Sequence, residues 1–191
     1  MVKSVTVFCA SSTKADKVYQ QSAFDLGCIL ANAQIKCYYG GGRVGLMGEL
    51  AKAMVERHAE IEGIIPQFMV DEGWDNPDVH EIVVDDMQSR KKMLITFPDA
   101  IVALPGGCGT LEELMEAITS RQLGIITAPI VIVNINEYFT PLINMLNNAI
   151  SANFMRLEHK KLWVEVNKVE DVLSAINAAP KLENARGIAA M

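Results

Sequence analysis

The segment Pro105-Gly106-Gly107-Cys108-Gly109-Thr110 joins a wholly apolar run, Ala100-Ile101-Val102-Ala103-Leu104, to the amphipathic stretch that opens Leu111-Glu112-Glu113. Glycines in such a turn let backbone N–H groups point inward, and the start of a helix adds partial positive charge, so together they make a seat for an anion. Neither this run nor Gly40-Gly41-Gly42-Arg43-Val44-Gly45 is followed by Lys-Ser or Lys-Thr at Walker spacing, which argues against hydrolysis of a nucleoside triphosphate. Thr110-x-x-Glu113 reads two ways. It is a capping box, with Thr110 capping the helix and Glu113 returning a bond to the backbone, or it places an acid beside the anion seat, free for chemistry. Arg90-Lys91-Lys92 is likewise either a solvated basic face or a source of cations that approach the same anion, since its helix feeds the strand leading into the glycine loop.

Gly40-x-Gly42-x-x-Gly45 satisfies the dinucleotide fingerprint formally, but its context differs. The fingerprint normally follows the first strand of its unit, and a ribose-binding acid closes the next strand. Here the next strand ends Ile64-Ile65-Pro66. The alternative is a tight strand-to-helix turn with close packing at Gly45 and Gly48. The cysteines at 9, 28, 37 and 108 form no C-x-x-C pair, and His58, His80 and His159 have no spacing that would gather a metal. They read as reduced packing residues and surface histidines, and no metal is expected. Cys108 sits inside the glycine loop, yet a nucleophilic thiol needs a base beside it and the local sequence offers no histidine.

The elements that must position these groups alternate. Strands are predicted at Ser4 to Ala10, Ile35 to Tyr39, Ile61 to Ile65, Glu81 to Val84, Ala100 to Leu104 and Pro129 to Asn134, with Leu162 to Val166 a candidate seventh. Helices are predicted near Lys17 to Ala33, Leu46 to His58, Met87 to Phe97, Leu111 to Leu123, Pro141 to Ser151 and Val169 to Ala178. Strands apolar on both faces, alternating with helices, imply an α/β, Rossmann-like doubly wound parallel sheet of six to seven strands. Ligands of such a sheet bind beyond the carboxyl ends of the strands, so Cys9-Ala10-Ser11-Ser12 and the two glycine runs are placed on one edge. Residues 1–180 are expected to form a single domain, with 181–191 a poorly ordered C-terminal tail. The chain has 191 residues and a formal net charge of −6, a balance that speaks against a sequence-independent grip on nucleic acid. The amino-terminal residues lack the pattern of a signal peptide, and no apolar stretch is long enough to span a bilayer, so a cytoplasmic protein without a membrane partner is expected.

Met87-Gln88-Ser89-Arg90-Lys91, followed by Pro105-Gly106-Gly107-Cys108-Gly109-Thr110-Leu111-Glu112-Glu113, resembles the paired motifs of the LONELY GUY family of cytokinin-activating phosphoribohydrolases. Gly40-Gly41-Gly42 through Gly48 fits that family's earlier glycine segment, and the resemblance runs from the first strand to about Asn153. It implies a homodimer that hydrolyses N6-substituted adenosine monophosphates, or AMP itself, to the free base and ribose 5-phosphate, with no cofactor. It implies Arg90 and Glu113 as the catalytic pair. It implies substrate contacts from Gly41, Gly42, Glu72, Lys91, Gly106, Gly107, Cys108, Gly109, Thr110, Leu111, Glu112 and Thr119, the loop residues seating the 5'-phosphate and Glu112 holding ribose or base. Two places depart from the family pattern: Cys108 stands where an aromatic residue is frequent, and Asp71-Glu72-Gly73-Trp74-Asp75-Asn76, expected in the base pocket, is atypical. The label lysine decarboxylase attached to many relatives requires pyridoxal phosphate on a Schiff-base lysine, and no such set stands out. The rival reading is a nucleotide-binding or molybdenum-cofactor-like carrier of the same fold that cleaves nothing. The helices Leu111 to Leu123 and Pro141 to Ser151 carry enough Leu, Ile and Met for a dimer face, or for packing on the subunit's own sheet.

Overall fold

The central strands are built from residues that tolerate burial on both faces, and this decides the architecture. β5 (Ala100–Ala103) and β6 (Ile130–Val133) are buried at every position. Their alternate residues point into two separate apolar clusters: Ala100, Val102, Val131 and Val133 into one, Ile101, Ala103, Ile130 and Ile132 into the other. This is the period of two expected of a strand with a helical layer on each side.

The computed structural model describes residues 2–180; the tail expected over 181–191 lies outside the described residues. In chain order the other elements are β1 (Ser4–Phe8), α1 (Lys17–Asn32), β2 (Lys36–Tyr39), α2 (Gly45–Val55), β3 (Ile61–Pro66), α3 (Gln67–Asp71), β4 (His80–Val84) and α4 (Met87–Thr96). After β5 come α5 (Cys108–Gln122), then β6, α6 (Thr140–Ser151), β7 (Val164–Val166) and α7 (Val172–Ala178). All seven strands pair in parallel, in the order β4-β3-β2-β1-β5-β6-β7. Leu26 and Leu30 of α1, Leu46 and Leu50 of α2 and Ile176 of α7 fill one cluster, while Leu94 of α4, Leu114 and Ile118 of α5 and Ile143 of α6 fill the other.

The chain steps outward from β1 to β4 and then returns through α4 to β5, on the opposite side of β1. The winding reverses between β1 and β5, and that switch point is where a doubly wound sheet opens a crevice at its carboxyl edge. The loops after these two strands are laced together: Leu104 N–H donates to the Phe8 carbonyl at 2.9 Å and Ala10 N–H to that of Pro105 at 3.2 Å. The fingerprint glycines serve packing, as the tight-turn reading has it. Gly45 has a φ of +63°, and a Cβ there would lie 2.5 Å from the Ser11 carbonyl carbon.

Three expectations need correction. α5 begins at Cys108, not Leu111, because Gly107 takes an extended conformation (φ −83°, ψ −157°) and lets the helix close three residues earlier. The short α3 buries none of its residues, so it carries no apolar period that sequence reading could detect. His159 is buried, not at the surface: its Nδ1 accepts from the Arg156 backbone N–H at 3.1 Å within a 3₁₀ turn, Leu157–Leu162, that packs beneath α5 and α6.

Candidate active site

Two buried residues of opposite charge meet at the carboxyl edge of the sheet, and their elements explain why. α4 starts at a formed cap, the Asp86 carboxylate accepting from Ser89 N–H at 2.7 Å. This sets the helix register so that Arg90, one turn in, faces the sheet. Its guanidinium is gripped on three sides: Nε donates to the Ile64 carbonyl of β3 at 3.0 Å, Nη2 to the Gly40 carbonyl after β2 at 3.2 Å, and Nη1 to Glu113 Oε1 at 3.0 Å. Arg90 and Glu113 are each only 6% exposed. Of five N–H donors a guanidinium carries, two therefore remain to face a ligand. Gly40 is a glycine because the cation leaves no room for more, since a Cβ there would lie 2.2 Å from Arg90 Nη2.

Glu113 sits one and a half turns into α5 and makes no bond to the helix start. The capping-box reading therefore fails: Gly107 is the cap residue, no side chain caps the helix, and Thr110 lies inside the first turn. The first helical bond runs from Leu111 N–H to the Gly107 carbonyl, so the amides of Gly107, Cys108, Gly109 and Thr110 have no intrahelical partner. Tyr138 steadies the approach to them by donating its hydroxyl to the Gly106 carbonyl at 2.6 Å. Burial raises the Glu113 carboxyl above its ordinary range while the Arg90 charge pulls it back down. Burial also holds the Cys9 thiol well above its usual value, reinforced by Cys37 and Glu113, so Cys9 is a thiol and not a nucleophile.

A cleft of about 700 Å³ opens over these groups. Of the residues singled out from the sequence, Gly42, Arg90, Gly107, Cys108, Gly109, Thr110 and Glu113 line it. Gly106 is buried directly beneath, and Gly41 is buried against Ile65. The remaining ones are not brought to the cleft of this subunit. Lys91 is tied to Glu112 and, at 3.0 Å, to Glu116, so cation and acid neutralise each other on the outer face of α4 and α5. Leu111 packs into the second apolar cluster. Thr119 is exposed two turns further along and bonds the Met115 carbonyl of its own helix. Glu72 is exposed at the end of α3, and the residue that enters the cleft is its neighbour Trp74. Sequence reading also passed over Met47, Met69 and Met87, which line the same space. A methionine has no spacing signature that separates a pocket wall from a core position.

A parallel doubly wound sheet with uncapped helix amides at its switch point, and a buried arginine–glutamate pair beside them, defines a Rossmann-like α/β protein whose cleft has the chemistry to accept a small anion. Residues 47–176 match the family model described as "Possible lysine decarboxylase". The probable cytokinin riboside 5'-monophosphate phosphoribohydrolase LOGL2 of Oryza sativa subsp. japonica is 39% identical over 155 residues, 81% of this chain and 64% of that protein. The cytokinin riboside 5'-monophosphate phosphoribohydrolase of Rhodococcoides fascians is 35% identical over 178 residues, 92% of this chain and 90% of that protein. The chain belongs to this family of phosphoribohydrolases, the LOG family. Among solved structures, the molybdenum cofactor carrier protein of Chlamydomonas reinhardtii superposes with a TM-score of 0.70 at 18% identity, covering 93% of this chain and 97% of that one, which shows a shared fold.

Two substitutions test this geometry. Thr110→Val removes the hydroxyl a capping box needs and leaves the Arg90–Glu113 pair intact, so thermal melts should show Tm within a few degrees of wild type; a large loss would restore a capping role. Gly40→Ala must push the guanidinium aside, and denaturant titration should show a loss of about 1–3 kcal/mol.

Proposed function

We propose that the protein hydrolyses the N-glycosidic bond of purine nucleoside 5'-monophosphates, AMP or an N6-substituted AMP, giving the free base and ribose 5-phosphate. The observation that carries this reading is the Glu113 carboxylate held by Arg90 on the same helix whose uncapped amides face the cleft. From Cys108 to Glu113 the axial rise is roughly 7.5 Å. A phosphate seated on the amides therefore sets a ribose over the carboxylate.

Breaking the bond between C1' and the base nitrogen builds positive charge on the ribose ring and negative charge on the departing base. Glu113 stabilises the first and takes a proton from the attacking water. The water oxygen bonds to C1', the base leaves with the bond's electron pair and takes a proton from solvent, and Glu113 returns the proton it accepted to solvent, which restores the carboxylate. Arg90 offsets charge on the phosphate or the departing base with its two remaining donors, and keeps Glu113 ionised against the pull of burial. Fixing the phosphate also fixes the reacting carbon, so a nucleoside without phosphate loses turnover as well as affinity. The description "Possible lysine decarboxylase" would require a Schiff-base lysine for pyridoxal phosphate; among the described residues no lysine lines the cleft, and those present do not fit that group. The likeness to molybdenum cofactor carriers supports a fold and not a ligand.

We further propose a cytoplasmic homodimer joined on the side of α5 and α6, where Ile125, Met145, Phe154 and Leu157 are all more than 60% exposed. Light scattering should return twice the mass of the chain, and Phe154→Glu should shift the population toward monomer.

Purified protein given AMP or N6-isopentenyl AMP should release free base and ribose 5-phosphate, seen by chromatography; binding with no product would favour a carrier. Glu113→Gln should lower turnover by roughly a hundredfold or more. Because burial raises the Glu113 carboxyl, kcat/KM should fall as pH drops through a value above about 4.3, the ordinary glutamate pKa. The same shift makes folding take up a proton, so this group's contribution to stability is full below about pH 4.3 and is lost as pH rises through its folded pKa. Glu113→Gln should remove that slope from melts recorded across the acid range.

A further inference from the structure

The segment that follows α3, Gly73-Trp74-Asp75-Asn76, is pinned at every residue while presenting one large side chain to the cleft. Gly73, at φ +69°, turns the chain back over the sheet edge, and its N–H donates to the Val70 carbonyl at 2.8 Å. Trp74 N–H donates to the Met69 carbonyl at 3.0 Å, tying it to the last turn of α3. Asp75 pairs with Gly42 in an isolated antiparallel bridge. Asn76, itself 8% exposed, donates its N–H to Glu81 Oε1 at 2.9 Å. The backbone on both sides of Trp74 is thereby fixed to α3, to the loop after β2 and to β4. Yet the indole is 54% exposed and lines the cleft. An aromatic on a rigid backbone, half out of water, is a preformed surface for a flat ligand that loses little entropy on binding.

Its place along the cleft says which part of a ligand it meets. The loops that wall the cleft leave β5, β1, β2 and β3, which are consecutive in the sheet. Strands lie about 4.8 Å apart, so the amides at the start of α5 and the segment beyond β3 are separated by roughly 14 Å. Arg90 and Glu113 stand between, the arginine bonded to the Gly40 carbonyl after β2. A nucleoside monophosphate with its phosphate on the amides and its ribose over Glu113 extends its base toward Trp74. Val44, Met47 and Met69 line the same cleft and give it flexible apolar wall, with Arg43 of the loop after β2 as a charged neighbour.

We propose that Trp74 is the stacking platform for the purine base, held in place by the Gly42–Asp75 bridge and the Asn76–Glu81 bond, and that it sets affinity for the base while leaving the sugar-phosphate site untouched. This rests on the phosphoribohydrolase reading above. Stacking recognises the face of the ring and not its edge, so the platform accepts adenine with or without an N6 substituent.

The test compares Trp74→Ala and Trp74→Phe with wild type, using AMP as substrate and ribose 5-phosphate as a competitive inhibitor that has no base. Trp74→Ala should raise KM for AMP by about tenfold or more with a smaller change in kcat, and Trp74→Phe should recover most of the loss. The inhibition constant of ribose 5-phosphate should not move in either variant. In the wild-type protein, whose other tryptophan, Trp163, is 8% exposed, AMP and not ribose 5-phosphate should quench the indole emission. If the enzyme releases adenine but KM for Trp74→Ala stays within twofold, or ribose 5-phosphate weakens in parallel, the platform is overturned while the hydrolase reading stands. If wild-type protein neither binds nor cleaves AMP, both fall together.

Discussion

The arrangement depends on one buried guanidinium. Arg90 is almost wholly removed from water, a costly position for a cation unless its donors are met. They are met by the carbonyls at the ends of two strands and by the carboxylate of a helix that follows a third. Each partner comes from a different part of the chain, so the cation registers β2, β3 and α5 against one another at the floor of the cleft. Such pairs add little to net stability, because desolvation consumes most of the Coulomb gain. The place of this pair in the cleft is better explained by what the two groups do to each other's charge. Burial alone would leave Glu113 with a carboxyl too ready to keep its proton, and Arg90 opposes that.

The second constraint is an omission. A helix that starts with Ser, Thr, Asp or Asn in the cap position satisfies its own first amides. α5 starts with Gly107 and spends no side chain there, so the donors and the dipole of a fifteen-residue helix are directed into the cleft. α4, one crossover earlier, does the reverse: Asp86 caps it, and its role is to place Arg90. The two helices thus differ in how they begin: one closes its first amides with a side chain, the other leaves them open to the cleft. Tyr138, brought by the loop after β6, donates its hydroxyl to the Gly106 carbonyl and so ties the glycine turn to the neighbouring strand's loop.

Much of this was legible in the residues. Runs such as Ala100 to Leu104 and Pro129 to Asn134 are too short and too uniformly apolar for anything but central parallel strands, so the sheet and its chemical edge followed from pattern alone. The ambiguous step was Thr110-x-x-Glu113, because the same three-residue spacing describes a cap that closes a helix and an acid left free by a helix that starts sooner. Only the backbone of Gly107 decides between them. Lys91 and Glu112 illustrate a different limit: each is plausible beside a phosphate or a ribose, and sequence cannot reveal that they neutralise each other on an outer face. The family resemblance pointed to the segment Asp71 to Asn76 but to Glu72 within it; that Trp74 is the residue entering the cleft was not legible, because the adjoining α3 buries nothing and sets no apolar period. A pocket wall made from a short unpatterned segment is defined by tertiary bonds to distant residues, here Gly42 and Glu81.

A shared scaffold does not carry a shared chemistry, and the likeness to a cofactor carrier at 18% identity makes the distinction concrete. Any doubly wound sheet can offer helix amides at its switch point, and those amides suffice to hold an anion. Cleaving a glycosidic bond asks for more: a carboxylate at a fixed distance from that anion, dry enough to act strongly and ionised enough to act at all. Those two demands conflict, since dryness favours the protonated acid. A cation fixed by main-chain carbonyls resolves the conflict without supplying a proton of its own, because arginine does not titrate in the range where glutamate does. Arg90 is anchored by the main-chain carbonyls of Ile64 and Gly40 as well as by Glu113, so its position is tied to the strands themselves. On the reading proposed above, the step from holding a nucleotide to cutting one is the burial of a charge pair beside an anion seat.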